Sequence, residues 1–184
     1  GKQVDLSFKI TKDSTLSIIT KNKPEGAEVL RHSAAHLLAQ AVTRLYGPVK
    51  LWVGPPLMEG RAGFYYDMDL EHRIVPEDFP KIEAEMMKIA AEDLKPERIE
   101  LPVEEAVRLA EKNGQPYKVE LIRGFGVPTV TFYKQGEFTD LCEGPHIPRT
   151  GVVGAAKILN VTGAYLHCDQ SQKMLQRVYG CAFF

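Results

Sequence analysis

The sequence predicts an α+β fold, a two-layer domain with a largely antiparallel sheet and packed helices, and three observations lead there. A long stretch ending at Tyr46 repeats apolar residues at three- and four-residue steps. Two further helix starts are marked by proline beside acidic residues, in Val75-Pro76-Glu77-Asp78 and Pro102-Val103-Glu104-Glu105. The second half is then dominated by short β-type runs joined by turns. Helices interspersed with hairpin-connected strands, without a regular strand-helix-strand alternation, suit layers of helix on antiparallel sheet.

Taken in order, residues 1–25 mix short β-type runs with turn residues: Val4 to Phe8 alternates, and Leu16 to Thr20 follows Asp13-Ser14. Lys21 to Gly26 reads as a linker. A helix is expected from about Ala27 to Tyr46, stopped by Gly47-Pro48. Leu30, Ala34, Leu37, Leu38, Ala41 and Leu45 form its apolar stripe. At about 100° per residue, His32 and His36 point away from that stripe, beside Ala35, Ala39 and Thr43. A solvated face normally carries Lys and Glu, so two imidazoles among small side chains mark a surface that something approaches.

Gly63 to Met68 reads as an aromatic strand after Pro55, Pro56 and Gly60. The next helix carries Phe79, Ile82, Met86 and Ile89 at helical spacing, and the following one stops near Asn113-Gly114. Tyr117 to Ile122 alternates like a strand, which puts Lys118 on the face opposite Tyr117, Val119 and Leu121. Thr129–Tyr133 and Phe138–Cys142 form a hairpin about Lys134-Gln135-Gly136-Glu137, whose second strand places Asp140 and Cys142 on one face. β-type segments are expected at Ala156–Val161 and Gly163–Cys168, and a last one starts at Met174.

Composition sets mild limits. The chain has 184 residues, enough for one domain with a real core and a small appendage. Its 23 basic residues balance 24 acidic ones, for a net charge of −1, which argues against wholesale coating of nucleic acid while leaving room for a local basic patch. No apolar run approaches the roughly 20 residues of a membrane span, and Gly1 to Asp5 lacks the apolar core of a signal peptide. A cytoplasmic location without membrane partners is expected. Three cysteines, Cys142, Cys168 and Cys181, do not make a disulfide framework.

The chemistry concentrates in two pairs with the same four-residue offset, His32 and His36 on the helix, and Cys142 and His146 in a segment whose Gly144-Pro145 forbids a regular helix. Two readings follow from those side chains. They make a tetrahedral or open three-ligand zinc site. Equally, they form a metal-free hydrolytic pocket in which a neutral imidazole takes a proton from water and nearby donors stabilise an oxyanion. A zinc protease is excluded, because its His-Glu-x-x-His needs a glutamate where Ser33 stands. Among the remaining candidates, His72 reads as solvated, adjacent His167 and Cys168 point to opposite sides of a strand, Cys181 is a small core residue, and Trp52 packs.

Four motifs, in order, carry a family resemblance: Leu30 to Leu38 (LRHSAAHLL), Gly63 to Asp67 (GFYYD), Asp140 to His146 (DLCEGPH) and Met174 to Gly180 (MLQRVYG). Together they resemble the amino-terminal editing domain of the threonyl-tRNA synthetase family. The paired motifs alone are shared with the editing domain of alanyl-tRNA synthetases, whereas GFYYD, Gly163-Ala164-Tyr165 and the last motif tip the resemblance to the threonyl side. The likeness places the editing domain at 26–184 and makes 1–25 the remnant of a TGS-like β-rich segment and linker. It implies hydrolytic proofreading: removal of serine from Ser-tRNA(Thr) by water attack on the ester at the 3′-terminal adenosine.

By the same resemblance, His32 activates or positions water and Lys118 is the second catalytic candidate, polarising water or stabilising the oxyanion. Asp140 accepts hydrogen bonds from the seryl ammonium, His36, Cys142 and His146 line the pocket, and Tyr66 contacts substrate or terminal nucleotide. Plain packing for Tyr66 and a strand-end hydrogen bond for Asp140 stand as the alternatives. No cofactor is implied, with zinc at His32, His36, Cys142 and His146 as the alternative, as in an alanyl-type domain acting on Ser-tRNA(Ala). A non-catalytic tRNA-docking module is the other alternative. Implied partners are the tRNA(Thr) acceptor end and the remaining synthetase domains, without which this polypeptide is not expected to aminoacylate.

Overall fold

In the computed structural model, residues 1–57 and 63–184 are described. Gly60, which precedes the expected aromatic strand, lies outside them. Helix α1 spans Pro24–Tyr46, so the expected linker shrinks. Pro24 has the backbone angle of a first helical turn and lacks the N–H that would be orphaned there, and Glu25 suits the positive end of the helix dipole. The helix closes with the Gly47 N–H donating to the Thr43 carbonyl at 2.9 Å.

Strands β1 (Lys50–Leu51) and β2 (Phe64–Asp69) follow, then a 3-10 turn at Pro76–Asp78 and helix α2 (Phe79–Ala91). Strand β3 (Glu97–Pro102) leads into helices α3 (Val103–Lys112) and α4 (Pro116–Gly124). The hairpin of β4 (Thr129–Gln135) and β5 (Phe138–Leu141) comes next, and β6 (Ala155–Tyr165) and β7 (Met174–Phe183) end the fold.

The α+β class and the antiparallel pairing are as expected, but the strands divide into two sheets, ordered β1-β2-β7-β6 and β3-β4-β5. The two segments expected after Ala156 are one strand. Leu166–Cys168 turns instead as a 3-10 element in which His167 and Cys168 adopt positive φ of 56° and 57°, so they do not alternate across a strand. Residues 1–23 form no strand: Leu6, Phe8, Leu16 and Ile18 find no partner strand to cover them and stay exposed.

One core joins α1 and α2 to the larger sheet through Leu30, Leu37, Leu38, Ile82, Met86, Ile89, Phe64, Met68 and Val178. A second fills the space between α3, α4 and β4 with Ala106, Val107, Ala110, Ile122, Val130 and Phe132. Helix α1 is buried on its far face as well, at Ala35, His36, Ala39 and Gln40, and there the His36 ring meets Phe138 of β5 edge-on, 5.9 Å between centroids. The Gln40 and Gln135 side chains clasp there, Gln135 Nε2 donating to Gln40 Oε1 at 2.8 Å and Gln40 Nε2 to the Gln135 carbonyl at 3.2 Å. Small residues on that face let the second sheet come close enough for the histidines to meet it.

In the larger sheet, Asp67 of β2 lies opposite Arg177 of β7. The guanidinium holds the carboxylate at 2.7 and 2.8 Å and lies 4.2 Å over the Tyr65 ring. Asp67 is buried, so Arg177→Ala leaves a carboxylate without its cation. This variant should lose about 3 kcal/mol of stability in urea unfolding, with the slope unchanged. A loss below about 1 kcal/mol would show that solvent reaches the pair.

Candidate active site

Helix α1 presents His32 and His36 one turn apart, with ring centroids separated by 5.6 Å. The loop after β5 brings Cys142 and His146 against them. His32 Nε2 lies 2.9 Å from Cys142 Sγ, and Cys142 Sγ lies 3.3 Å from His146 Nε2. The His146 ring centroid is 4.6 Å from that of His32 and 4.4 Å from that of His36. Ser33 ties helix to loop: its hydroxyl oxygen accepts the Ile147 N–H at 3.0 Å and bonds His146 Nδ1 at 3.0 Å, which fixes the ring. The Cys142 N–H donates to the Thr131 carbonyl at 3.0 Å, anchoring the loop's start to β4.

Lys118 arrives differently from the expected strand. Tyr117 to Ile122 lies within α4, which starts at Pro116 and buries Lys118 and Ile122 at the i, i+4 spacing of one helix face. Gln115 pins this helix to β1, donating to the Val49 carbonyl and accepting the Leu51 N–H, both at 2.8 Å. The Lys118 ammonium then meets the Trp52 carbonyl at 2.8 Å, the Tyr66 hydroxyl at 3.1 Å and Asp140 Oδ1 at 3.1 Å. The Tyr66 hydroxyl also donates to Asp140 Oδ2, and His36 Nε2 stands 3.8 Å from that oxygen.

All seven residues singled out in the sequence therefore converge: His32, His36, Tyr66, Lys118, Asp140, Cys142 and His146. Lys118, Tyr66, Asp140, His36 and His146 form a buried floor, whereas His32 and Cys142 are half-buried at the rim. Tyr66 needs Gly54 beneath it, since a Cβ there would fall 2.3 Å from its ring.

Desolvation governs the protonation of the cluster. Burial lowers the pKa of His32, against the raising pull of Asp140 and Asp5. Burial, reinforced by neighbouring His32 and Lys118, holds His36 well below the ordinary imidazole value, and burial with His36 and His32 does the same for His146. Burial pushes the Cys142 thiol up to about 12. Near pH 7 the imidazoles are neutral bases and the thiol keeps its proton, which makes Cys142 a poor nucleophile.

The four paired donors also fit a metal. Their ligating atoms lie within 4.8 Å of one another, and a tetrahedral zinc with ordinary bond lengths asks for separations of roughly 3.3–3.8 Å. Small rotamer changes close that gap, and the thiol would give up its proton to the ion.

Outside the cluster, exposed His72 stacks on Tyr46 with centroids 4.1 Å apart and meets Asp78 at 2.8 Å. Cys181 is half-buried on β7. Trp52 packs edge-on against His167, 5.0 Å between centroids, and lines a surface cleft with Leu121, Gly124 and Phe125. Ser33 escaped the sequence reading, where it registered only as a missing glutamate. Nothing in local pattern marks a residue whose partner is more than 100 positions away.

Residues 130–179, which carry Asp140, Cys142 and His146, match the family model described as the threonyl and alanyl tRNA synthetase second additional domain. That segment is therefore similar to a domain of aminoacyl-tRNA synthetases. The similarity of the whole chain lies on the threonyl side. It is 53% identical over 184 residues to a threonine–tRNA ligase of Clostridioides difficile (strain 630), and 52% identical over 186 residues to that of Geobacillus kaustophilus (strain HTA426). In both cases all of this chain is covered and 28% of the relative, so the chain spans just over a quarter of their length. The resemblance to the threonyl-tRNA synthetase family is borne out along the whole chain.

The buried Lys118–Asp140 pair sets an expectation for stability. Asp140→Ala leaves the ammonium buried without its carboxylate and should cost about 3 kcal/mol in chemical unfolding. Adding Lys118→Met should recover most of that loss, so that the double variant loses far less than the two single variants together. Additive losses would show that the two groups do not act as a pair.

Proposed function

We propose that this chain is a proofreading hydrolase that removes serine from Ser-tRNA(Thr). The observation that carries the reading is the buried, uncharged imidazole cluster resting on the Lys118–Asp140 pair, with His32 at its open rim. Neutral His32 takes a proton from water as the water oxygen adds to the ester carbonyl carbon, and the carbonyl π pair moves onto its oxygen. Collapse of that intermediate breaks the bond to the ribose 3′ oxygen, which leaves with the proton held by His32. The products are serine and a free 3′-hydroxyl.

Asp140 accepts hydrogen bonds from the seryl ammonium through the lone pairs that Lys118 and the Tyr66 hydroxyl leave free. Lys118 holds Asp140 and Tyr66 in place and reaches the ester only by exchanging one of its three partners. His36, Cys142 and His146 shape the pocket, and Tyr66 forms its floor. Such a site suits a sorting problem that binding alone solves poorly: a missing methyl is worth only about 1–3 kcal/mol, whereas a surplus methyl in a tight pocket is rejected by clash. The cleft of Trp52, Phe125 and His167 supports a tRNA end as ligand, because aromatic walls stack nucleobases. On this reading residues 26–184 are the editing unit and 1–25 belong to a preceding TGS-like segment. The tRNA(Thr) acceptor end and the other synthetase domains are its partners.

This scheme uses no metal. Convergence of the four donors favours one second reading, an alanyl-type zinc centre on His32, His36, Cys142 and His146. Zinc would supply Lewis acidity and an acidified water. Elemental analysis of purified protein separates the two, since the metal-free scheme expects substoichiometric zinc and full activity in chelator.

Deacylation of Ser-tRNA(Thr) and Thr-tRNA(Thr), measured side by side, tests the activity. Serine release should far exceed the spontaneous rate, threonine release should not, and His32→Ala should lose about 100-fold or more. Parent protein that releases no serine would sink the proposal. Because the pKa of His32 lies below its ordinary 6.5, its base form prevails above that pH. The enzyme-dependent rate should thus stay level from about pH 6.5 to 8 and fall only in more acid solution. A rate that climbs through pH 7 would point to a different base.

A further inference from the structure

Helix α1 carries a cation that the hydrolytic scheme leaves idle. Arg31 lies in the motif LRHSAAHLL and directly precedes His32. Its Nε is the one buried side-chain nitrogen or oxygen without a hydrogen-bond partner among the described residues. The other arginines described there either grip a carboxylate, as Arg44, Arg149 and Arg177 do, or stand exposed to water. Arg31 does neither, for it is half-buried and belongs to no ion pair among the described residues.

Such a donor calls for an acceptor that the chain does not supply. Buried polar groups in native proteins are nearly always bonded, and a guanidinium cannot shed its charge to escape burial. Its Nε–H and one terminal N–H lie parallel in a plane, a fork that fits two oxygens of a phosphate. Arg31 and His32 are neighbours on α1, so their Cα atoms stand about 3.8 Å apart and their side chains leave the helix about 100° apart. The 5′-phosphate of a terminal adenosine is one ribose away from an ester on its 3′ oxygen. A base beside the ester and a long cation one residue earlier can span that ribose. Lys118, the other cation of the site, is already committed to the Trp52 carbonyl, the Tyr66 hydroxyl and Asp140.

We propose that Arg31 is the phosphate-binding residue of this site, its guanidinium holding the 5′-phosphate of the terminal adenosine while His32 serves the ester. This rests on the hydrolytic reading given above. The contact fixes the ribose at two points and so keeps the ester carbon within reach of the water on His32. It also supplies an attraction for the tRNA backbone that the balanced charge of the chain, −1 overall, does not. The Nε–H that is unpaired without substrate becomes paired with it.

The probes are two non-hydrolysable analogues of the seryl ester, 3′-deoxy-3′-serylamido-adenosine with and without a 5′-phosphate. In calorimetric titration the parent should bind the phosphorylated analogue about tenfold more tightly. Arg31→Met, which keeps an apolar stem and removes the fork, should bind both alike. Arg31→Lys should recover only part of the preference, because an ammonium is a point charge without the fork. With Ser-tRNA(Thr), Arg31→Met should raise KM far more than it lowers kcat, and the slope of log(kcat/KM) against log salt should flatten by about 0.7, the share of one phosphate contact to a single strand. Equal affinities of the parent for the two analogues, a preference that survives Arg31→Met, or no binding of either analogue would overturn the assignment. Failure of the parent to release serine would strike the hydrolytic reading instead, while the phosphate preference would still decide the place of Arg31.

Discussion

Burial of the Lys118 ammonium against Asp140 is the constraint on which the arrangement of this site depends, because its partners come from separate parts of the chain. Lys118 belongs to α4, Asp140 to β5 in the smaller sheet, Tyr66 to β2 in the larger sheet, and the accepting carbonyl to Trp52 in the connection between β1 and β2. A charge so deeply placed is tolerated only when every donor is matched, so the two sheets must meet within hydrogen-bonding error. Helix α1, buried on both faces, then has one position open to it. That position puts His32 and His36 against the loop carrying Cys142 and His146.

The neutrality of the imidazoles follows from the same burial. Asp140 pulls His32 and His146 toward protonation, but Lys118 balances its charge, and desolvation dominates at His32, His36 and His146. Neutral imidazole is the form that takes a proton from water and also the form that binds zinc. Geometry of this kind therefore serves both chemistries, and thiol ionisation separates them: Cys142, raised to about 12 by burial, is a hydrogen-bonding wall without a metal and a thiolate ligand with one.

Much of this was legible in the sequence, for identifiable reasons. The α1 pattern, the paired motifs and the β4–β5 hairpin are local signals, written in residues three or four apart or in strict alternation. Lys118 joins the cluster from a helix where the sequence suggests a strand. Tyr117, Val119 and Leu121 alternate as in a strand, yet Pro116 starts a helix, and Lys118 and Ile122 share its buried face. The short β1 and the mostly exposed β3 have too few apolar residues to register, and their pairing depends on β2 and β4. Residues 1–23 erred the other way: alternation at Val4–Phe8 produces no strand where no edge receives it.

Ser33 shows most clearly how the site's chemistry emerges from packing. In sequence it marks the absence of a metalloprotease glutamate. In the fold its hydroxyl bonds the His146 ring and accepts the Ile147 N–H, so a residue on α1 sets the orientation of a base in a loop 113 positions away. A glutamate there would bring a buried carboxylate beside three imidazoles and favour their protonated forms, opposing the neutrality that burial imposes. A small neutral hydroxyl fixes the ring without adding charge. The His-x-x-x-His spacing of this helix thus serves a cluster that burial keeps uncharged.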